Sequence, residues 1–235
     1  MTSNLFTYEL NNGVATLTMD DGKANVMSVH MLQAIDAALD RAVADKAVVV
    51  LQGRAGMFSG GFDMAVFKGE RQELARMLEA GARLSLRLLS HPYPVVAVCA
   101  GHAMAMGAFL LLSTDLRIGV NEGYKVQLTE VQIGMTLPHF AIEVSRQRLT
   151  PSHYNLAAGL SQPYTPQTAM AAGFLDEIVA ADALATTVAA HTARLQKLHM
   201  GAFAATKLRL RANALSALRD AIAQDVHEWS APLNA

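Results

Sequence analysis

The 235-residue sequence predicts an α/β fold built on a parallel sheet and followed by a mainly helical C-terminal region. Three observations carry that expectation. Two uninterrupted apolar runs, AVVVLQG at Ala47 to Gly53 and PVVAVCAG at Pro94 to Gly101, are of the kind found in strands buried on both faces of a parallel sheet. Between them, Glu70 to Ser90 repeats apolar residues at Leu74, Met77, Leu78, Gly81, Leu84 and Leu88, so strand, helix, strand reads as a parallel crossover. A hydrophobic content of 52% against 17% charged residues supports a large buried core.

Taken in order, Phe6 to Glu9 and Val14 to Met19 flank Asn11-Asn12-Gly13, which predicts an opening hairpin. Ser28 is the expected N-cap of a surface helix with its stripe at Leu32, Ile35, Leu39 and Val43. The first buried strand ends in a glycine-rich loop, Gly56 to Gly61, and the second, Val95 to Val98, in a turn at Gly101 and His102. A helix over Met104 to Ser113 and a strand at Leu116 to Val120 follow. The remainder reads as helices: Phe140 to Gln147, Ser152 to Gly159, Pro166 to Ala172, Asp182 to Leu198, and Lys207 to Trp229 with its stripe at Leu208, Leu215, Leu218, Ile222 and Trp229. Nothing in the sequence divides it into repeats or linker-joined domains.

The formal charge of −1 with scattered Lys and Arg lacks the basic footprint of a nucleic-acid binder. The lone Cys99 lies inside an apolar run, so neither a disulfide framework nor Cys/His metal spacing is expected. The segment MTSNLFTYEL carries no targeting pattern, which leads to the expectation of a cytoplasmic protein. Val95 to Leu112 is uncharged over a length that spans a bilayer, but Gly101, His102 and Gly107 in its middle and Pro92 and Pro94 before it suit a buried strand, turn and helix.

P-loop, dinucleotide, HExxH and GxSxG patterns are all missing, which leaves chemistries based on backbone donors and carboxylates. Two glycine-containing loops then stand out, MFSGGFDM at Met57 to Met64 and AGHAMAMGAF at Ala100 to Phe109. Each follows a buried strand, at the carboxyl ends where open α/β sheets place their ligands.

With GKANVMS (Gly22 to Ser28), VVVLQGRAGMFSGGFDM, PVVAVCAGHAMAMGAFLLLSTDLRIG, LTEVQIGM and TPQTAMAAGFLDEIV in that order, the chain resembles the enoyl-CoA hydratase/isomerase (crotonase) superfamily over nearly its whole length. The resemblance implies repeated ββα units around the parallel-sheet core. Residues 1–180 would form the α/β core with the active site, and residues 181–235 a C-terminal helical trimerisation region. It further implies an acyl-CoA substrate, with CoA part of the substrate and no permanently bound cofactor or metal, and a homotrimer or dimer of trimers; the charge pattern and the broken apolar segment lead to the expectation of no nucleic-acid and no membrane partner.

The site residues are carried over by motif position. The backbone N–H groups of Phe62 and Met106 are expected to form an oxyanion hole for a thioester enolate. Lys23, Ala24, Val26, Gly60, Gly61, Asp63, Met64, Gly107 and Phe109 are expected around the substrate. Ala105 and Met106 stand where the family usually has more glycine. Lys23, Arg54 and Lys68 are candidate partners of the CoA phosphates, and Lys207, Arg209 and Arg211 candidates for a neighbouring subunit's ligand. Met64, Met77, Phe109 and Met135 are candidates for the acyl pocket. Asp63 is expected to cap the next helix, and His102 and Asp115 to be structural.

Hydratases of the family show two glutamates. Here the first position is Phe109 and the second is Glu130, so Glu130 is the expected acid/base. One base beside an apolar wall favours an isomerase that moves a 3-enoyl double bond to the 2-position, in keeping with fatty acid metabolism. A hydratase using Glu130 alone or with Glu143, and a non-catalytic acyl-CoA-binding relative, stand as alternatives.

Overall fold

A computed structural model describes residues 5–230; residues 1–4, which head the segment read for targeting, and 231–235, which end the C-terminal stretch, lie outside the described residues. Strands β1 (Phe6–Asn11) and β2 (Val14–Met19) pair antiparallel from Phe6↔Met19 to Asn11↔Val14. Asn12 (φ 48°) and Gly13 (φ 75°) both take positive φ, as an Asn-Gly hairpin turn requires. Helix α1 (Val29–Ala44) starts at Ser28, whose hydroxyl accepts the Met31 N–H at 3.2 Å. It buries Met31, Leu32, Ile35, Ala38, Leu39 and Ala42 along one face.

Three strand–strand–helix units follow. They are β3 (Val48–Gln52), β4 (Gly56–Ser59) and α2 (Arg71–Ser90); β5 (Val95–Cys99), β6 (Gly101–Met104) and α3 (Met106–Leu112); and β7 (Leu116–Val120), β8 (Val126–Gln127) and α4 (His139–Arg146). The first strand of each unit enters a six-stranded sheet ordered β1-β2-β3-β5-β7-β9, with β9 at Glu177–Val179, and the second enters a three-stranded sheet ordered β4-β6-β8. Among the described residues, every pairing between these strands beyond the hairpin is parallel. Helices α5 (Pro151–Ala158), α6 (Pro166–Ala172), α7 (Leu184–Gln196), α8 (Met200–Leu210) and α9 (Ala212–Ser230) complete the chain.

The apolar runs of β3 and β5 have a plain cause in this arrangement. Side chains alternate across a strand, so Val49, Leu51, Val95 and Ala97 enter the main core while Val48, Val50, Val96 and Val98 form a second cluster covered by Leu184, Val188 and Leu195 of α7. Both faces are dry, and polar residues have no place between them. Helix α9 packs on α2 and α4, which brings the C-terminal region against the core.

Several sequence-based boundaries need correction. Gly56 to Ser59 is strand β4 and not loop, and the expected turn at Gly101 and His102 is strand β6. A methyl on Gly101 would stand 2.0 Å from Gly56 C and Met57 N, so this glycine serves close backbone approach between strands. The helix expected from Met104 begins at Met106, and that expected from Asp182 begins at Leu184 after a 3₁₀ turn at Ala181–Ala183. The single helix expected over Lys207 to Trp229 is two, broken at Arg211 (φ −102°, ψ 8°), and Leu208 lies on α8 at 45% exposure and not in the stripe. Strands β8 and β9 had no sequence signal. Val95 to Leu112 is β5, β6 and α3, and among the described residues no helix is long and apolar enough to cross a membrane.

Candidate active site

The site forms where β4 and β6 end side by side. Gly61 has φ +94°, and a Cβ there would meet Ala105 Cβ at 2.8 Å and Met104 O at 3.0 Å, so the two loops touch backbone to backbone. Met106 N lies 3.5 Å from the same point. Ala105 is held at φ 49°, ψ −121°, a conformation that costs a non-glycine residue about 1–3 kcal/mol. Neighbouring bonds overdetermine it: its N–H donates to Gln127 O at 2.9 Å, and its carbonyl accepts from Ala108 at 2.9 Å and Phe109 at 3.2 Å. Among the described residues neither the Phe62 nor the Met106 amide is bonded to a backbone carbonyl outside its own element.

The loop from Gly22 to Ser28 is tied to the first of these loops. Gly60 N–H donates to Ala24 O at 2.7 Å and Met27 N–H to Gly61 O at 2.8 Å. Buried Asn25 sends its side-chain amide to Met19 O at 2.9 Å and to Met57 O and Phe58 O at 3.3 Å, while Ser59 Oγ donates to Asn25 O at 2.8 Å. Asn25 went unread in the sequence, because nothing in GKANVMS distinguishes it from a solvated loop residue.

Glu130 heads a 3₁₀ turn at Val131–Ile133 and is 6% exposed. Burial pushes its carboxyl up from 4.5 to about 7, against the pull of its own N–H and that of Thr129. Its Oε2 has no hydrogen-bond partner among the described residues. The carboxyl lines a cavity of about 350 Å³ whose other walls are Gly60, Phe62, Met64, Phe67, Leu78, Met104, Ala105, Phe109, Thr129, Ile133, Met135, Pro138 and Phe140. Glu130 is therefore, among the described residues, the one ionisable side chain in the cavity wall. Phe109 is 1% exposed and stands edge-on to Phe140, centroids 5.8 Å apart, which in turn stands edge-on to Trp229 at 6.5 Å.

Of the expected site residues, Gly60, Phe62, Met64, Phe109 and Glu130 come together on the cavity wall, with Gly61, Met106 and Gly107 packed directly behind. Lys23, Ala24 and Val26 lie beside the first loop without lining the cavity; the Lys23 and Val26 amides donate to Asp21 at 2.7 and 3.1 Å. Asp63 accepts the Ala65 N–H at 3.0 Å, a local turn within the loop, and does not cap the next helix as expected: the 3₁₀ turn at Val66–Lys68 starts at Ala65 with no side-chain cap. His102 Nδ1 accepts the Lys125 N–H at 3.1 Å, also a structural bond.

Other expectations need correction. Met77 is a fully buried core residue, while Met64, Phe109 and Met135 do line the cavity. Lys207 and Arg211 are not free to reach a ligand: Lys207 Nζ is 2.7 Å from Asp115 Oδ2 and Arg211 is 3.0 Å from Asp115 Oδ1. Burial draws the Lys207 ammonium down to about 8 even beside Asp115. Arg54 is engaged by Lys23 O and lies 3.7 Å from Asp20. Glu143 pairs with Arg146 at 3.2 Å and does not line the cavity. The wall residues Phe67, Leu78, Pro138 and Phe140 were not anticipated, while Met104 and Ala105 in AGHAMAMGAF and Thr129 and Ile133 in LTEVQIGM were signalled only as parts of those motifs.

Repeated strand–strand–helix units, with two loops meeting beneath a desolvated carboxylate, define a protein of the crotonase type. The chain belongs to the enoyl-CoA hydratase/isomerase family, whose model matches residues 9–235. It is similar to the crystal structure of an enoyl-CoA hydratase/isomerase family protein from Pseudomonas syringae, at 43% identity and a TM-score of 0.94, covering 97% of this chain and 99% of that one. An enoyl-CoA hydratase from Mycobacterium marinum matches at 44% identity and a TM-score of 0.91, covering 96% and 100%. The human mitochondrial enoyl-CoA delta isomerase 1 is 26% identical over 221 residues, covering 91% of this chain and 73% of that protein. Against several other curated bacterial relatives the match spans about half of their length.

Proposed function

We propose that this chain is an enoyl-CoA isomerase that converts a 3-enoyl-CoA to the conjugated 2-enoyl-CoA by proton transfer through Glu130. The observation that carries the reading is the solitary carboxylate in an otherwise unionisable cavity, faced by buried Phe109. Ionised Glu130 takes the proton from C2, and the electron pair delocalises through C1 onto the thioester oxygen and, across the C3=C4 bond, onto C4. The amides of Phe62 and Met106 donate to that oxygen, and losing one such donor typically costs roughly 3–4 kcal/mol in the transition state. Protonated Glu130 then delivers the proton to C4, and the carboxylate is regenerated without consuming water.

A carboxyl raised to about 7 suits both halves of that transfer, since it takes and returns a proton near neutrality with little bias. Water addition would need a second group to aim a nucleophilic water. Phe109 is unable to do so, and Glu143 is engaged elsewhere. Coenzyme A enters as part of the substrate, and exposed Lys23 and Lys68 are the candidates for its phosphates. The assembly in this reading is a homotrimer or a pair of trimers, acting in the cytoplasm.

The test is Glu130→Gln, assayed for 3-enoyl to 2-enoyl conversion and for the dissociation constant of a saturated acyl-CoA. Turnover should fall on the order of 10²–10⁴-fold, with affinity nearly unchanged because the oxyanion donors are main-chain groups. Conversion within a few-fold of the parent would remove Glu130 as the base.

A further inference from the structure

Behind the cavity, α9 supplies something α4 lacks. Helix α4 follows Pro138, which carries no side-chain acceptor, so the first amides of the helix have no local cap. The carboxylate of Asp225, from α9, takes that place: Oδ1 accepts the His139 N–H at 2.9 Å and Oδ2 the Phe140 N–H at 2.8 Å. Asp225 is 1% exposed, and burial pushes its carboxyl up while the two amides pull it down. Such a desolvated carboxylate is tolerated because amides at a helix start stabilise negative charge.

The capped segment is part of the cavity wall. Pro138 and Phe140 both line it, and Phe140 joins Phe109 to Trp229 in an aromatic row. The last turn of α9 is fastened from the other side as well. Arg71, at the start of α2, donates to Trp229 O at 3.2 Å and Glu228 O at 3.4 Å, and the Glu228 carboxylate lies 3.2 Å from His139 Nε2.

We infer that Asp225 is a positioning residue for the acyl chain: by capping α4 from α9 it fixes Phe140, backed by Trp229, and with it Phe109, as the wall against which the distal part of the chain packs. The inference rests on the proposed acyl-CoA reading of the cavity. Among the described residues the hydrogen bonds of Asp225 go to the His139 and Phe140 amides and not to Glu130 or the loops at Gly61 and Ala105, so its effect is carried by the wall and grows with the length of chain that reaches it.

The experiment measures binding of butyryl-CoA and decanoyl-CoA, both saturated and unreactive, to the parent and to Asp225→Ala and Asp225→Asn. Asp225→Ala should weaken decanoyl-CoA by about tenfold, the equivalent of about two buried methylenes, and butyryl-CoA by much less. Asp225→Asn, which keeps one acceptor, should recover most of the difference. If Asp225→Ala does not fold, the comparison is made on Asp225→Asn, for which a loss of about twofold to threefold is expected for decanoyl-CoA and none for butyryl-CoA. Equal weakening of both ligands, or none, would overturn the positioning role and leave Asp225 a general structural cap. A parent that binds neither ligand would overturn the acyl-CoA reading itself, and a parent that binds both but does not isomerise would overturn only the proposed reaction.

Discussion

Replacing Glu130 with glutamine should stabilise the folded protein, by an amount that depends on pH. The carboxyl is 6% exposed, has an unpartnered Oε2, and is raised from 4.5 to about 7 by burial. At 1.36 kcal/mol per unit, that displacement corresponds to about 3 kcal/mol. Below about pH 4.5 the carboxyl is protonated in both folded and unfolded chains, and no cost exists. Between 4.5 and about 7 the unfolded chain releases the proton while the folded chain keeps it, so stability is lost as pH rises; above about 7 the loss is complete. Glutamine does not titrate. Urea unfolding of parent and variant from about pH 4.5 to about pH 8 should therefore show the variant gaining about 3 kcal/mol on the parent across the range. A difference independent of pH would show that Glu130 is solvated or paired in solution, and the desolvated-base mechanism would lose its foundation.

Three further substitutions probe the loops and the wall. Gly61→Ala places a methyl 2.8 Å from Ala105 Cβ at a φ of +94°, and displacing one oxyanion donor should cost on the order of 10²–10³-fold in kcat; a parent-like kcat would move the oxyanion hole elsewhere. Ala105→Gly relieves the conformation at φ 49° and should raise stability by about 1 kcal/mol in urea unfolding, and a loss would mean that the Ala105 methyl packs more than it strains. Phe109→Glu puts a second carboxylate on the wall facing Glu130 and should lower stability by about 3 kcal/mol or more. The folded fraction should hydrate 2-enoyl-CoA faster relative to isomerisation, and an unchanged product ratio would show that the missing carboxylate does not separate the two reactions.

The centre of the larger sheet was legible because β3 and β5 are buried on both faces, which forces the unbroken runs at Val48 to Leu51 and Val95 to Cys99, whereas the three-residue edge strand β9 left no such run. The α1 cap was legible because Ser28 makes a local bond to Met31. The smaller sheet was not, since β4, β6 and β8 run only four, four and two residues, and pairing rather than pattern holds them extended. Glycine misled for the same reason: Gly56 and Gly101 read as loop and turn residues, but they sit where two strand backbones nearly touch. Glu130 was reached through family resemblance alone, because LTEVQIGM has no periodicity of its own. The buried ion pair of Lys207 with Asp115 and the cap from Asp225 to His139 span 92 and 86 residues of chain, and no local pattern announces contacts at that distance.

The central claim is that a single carboxylate moves a proton and that no water is added. Incubating the protein with 3-enoyl-CoA and, separately, with 2-enoyl-CoA, following the absorbance of the conjugated 2-enoyl thioester and weighing the separated products by mass spectrometry, addresses it directly. Isomerisation predicts that 3-enoyl-CoA becomes 2-enoyl-CoA at unchanged mass, while 2-enoyl-CoA gains no water beyond the uncatalysed rate. A 3-hydroxyacyl product, heavier by one water, formed from 2-enoyl-CoA faster than 3-enoyl-CoA is isomerised, would contradict it and make the protein a hydratase.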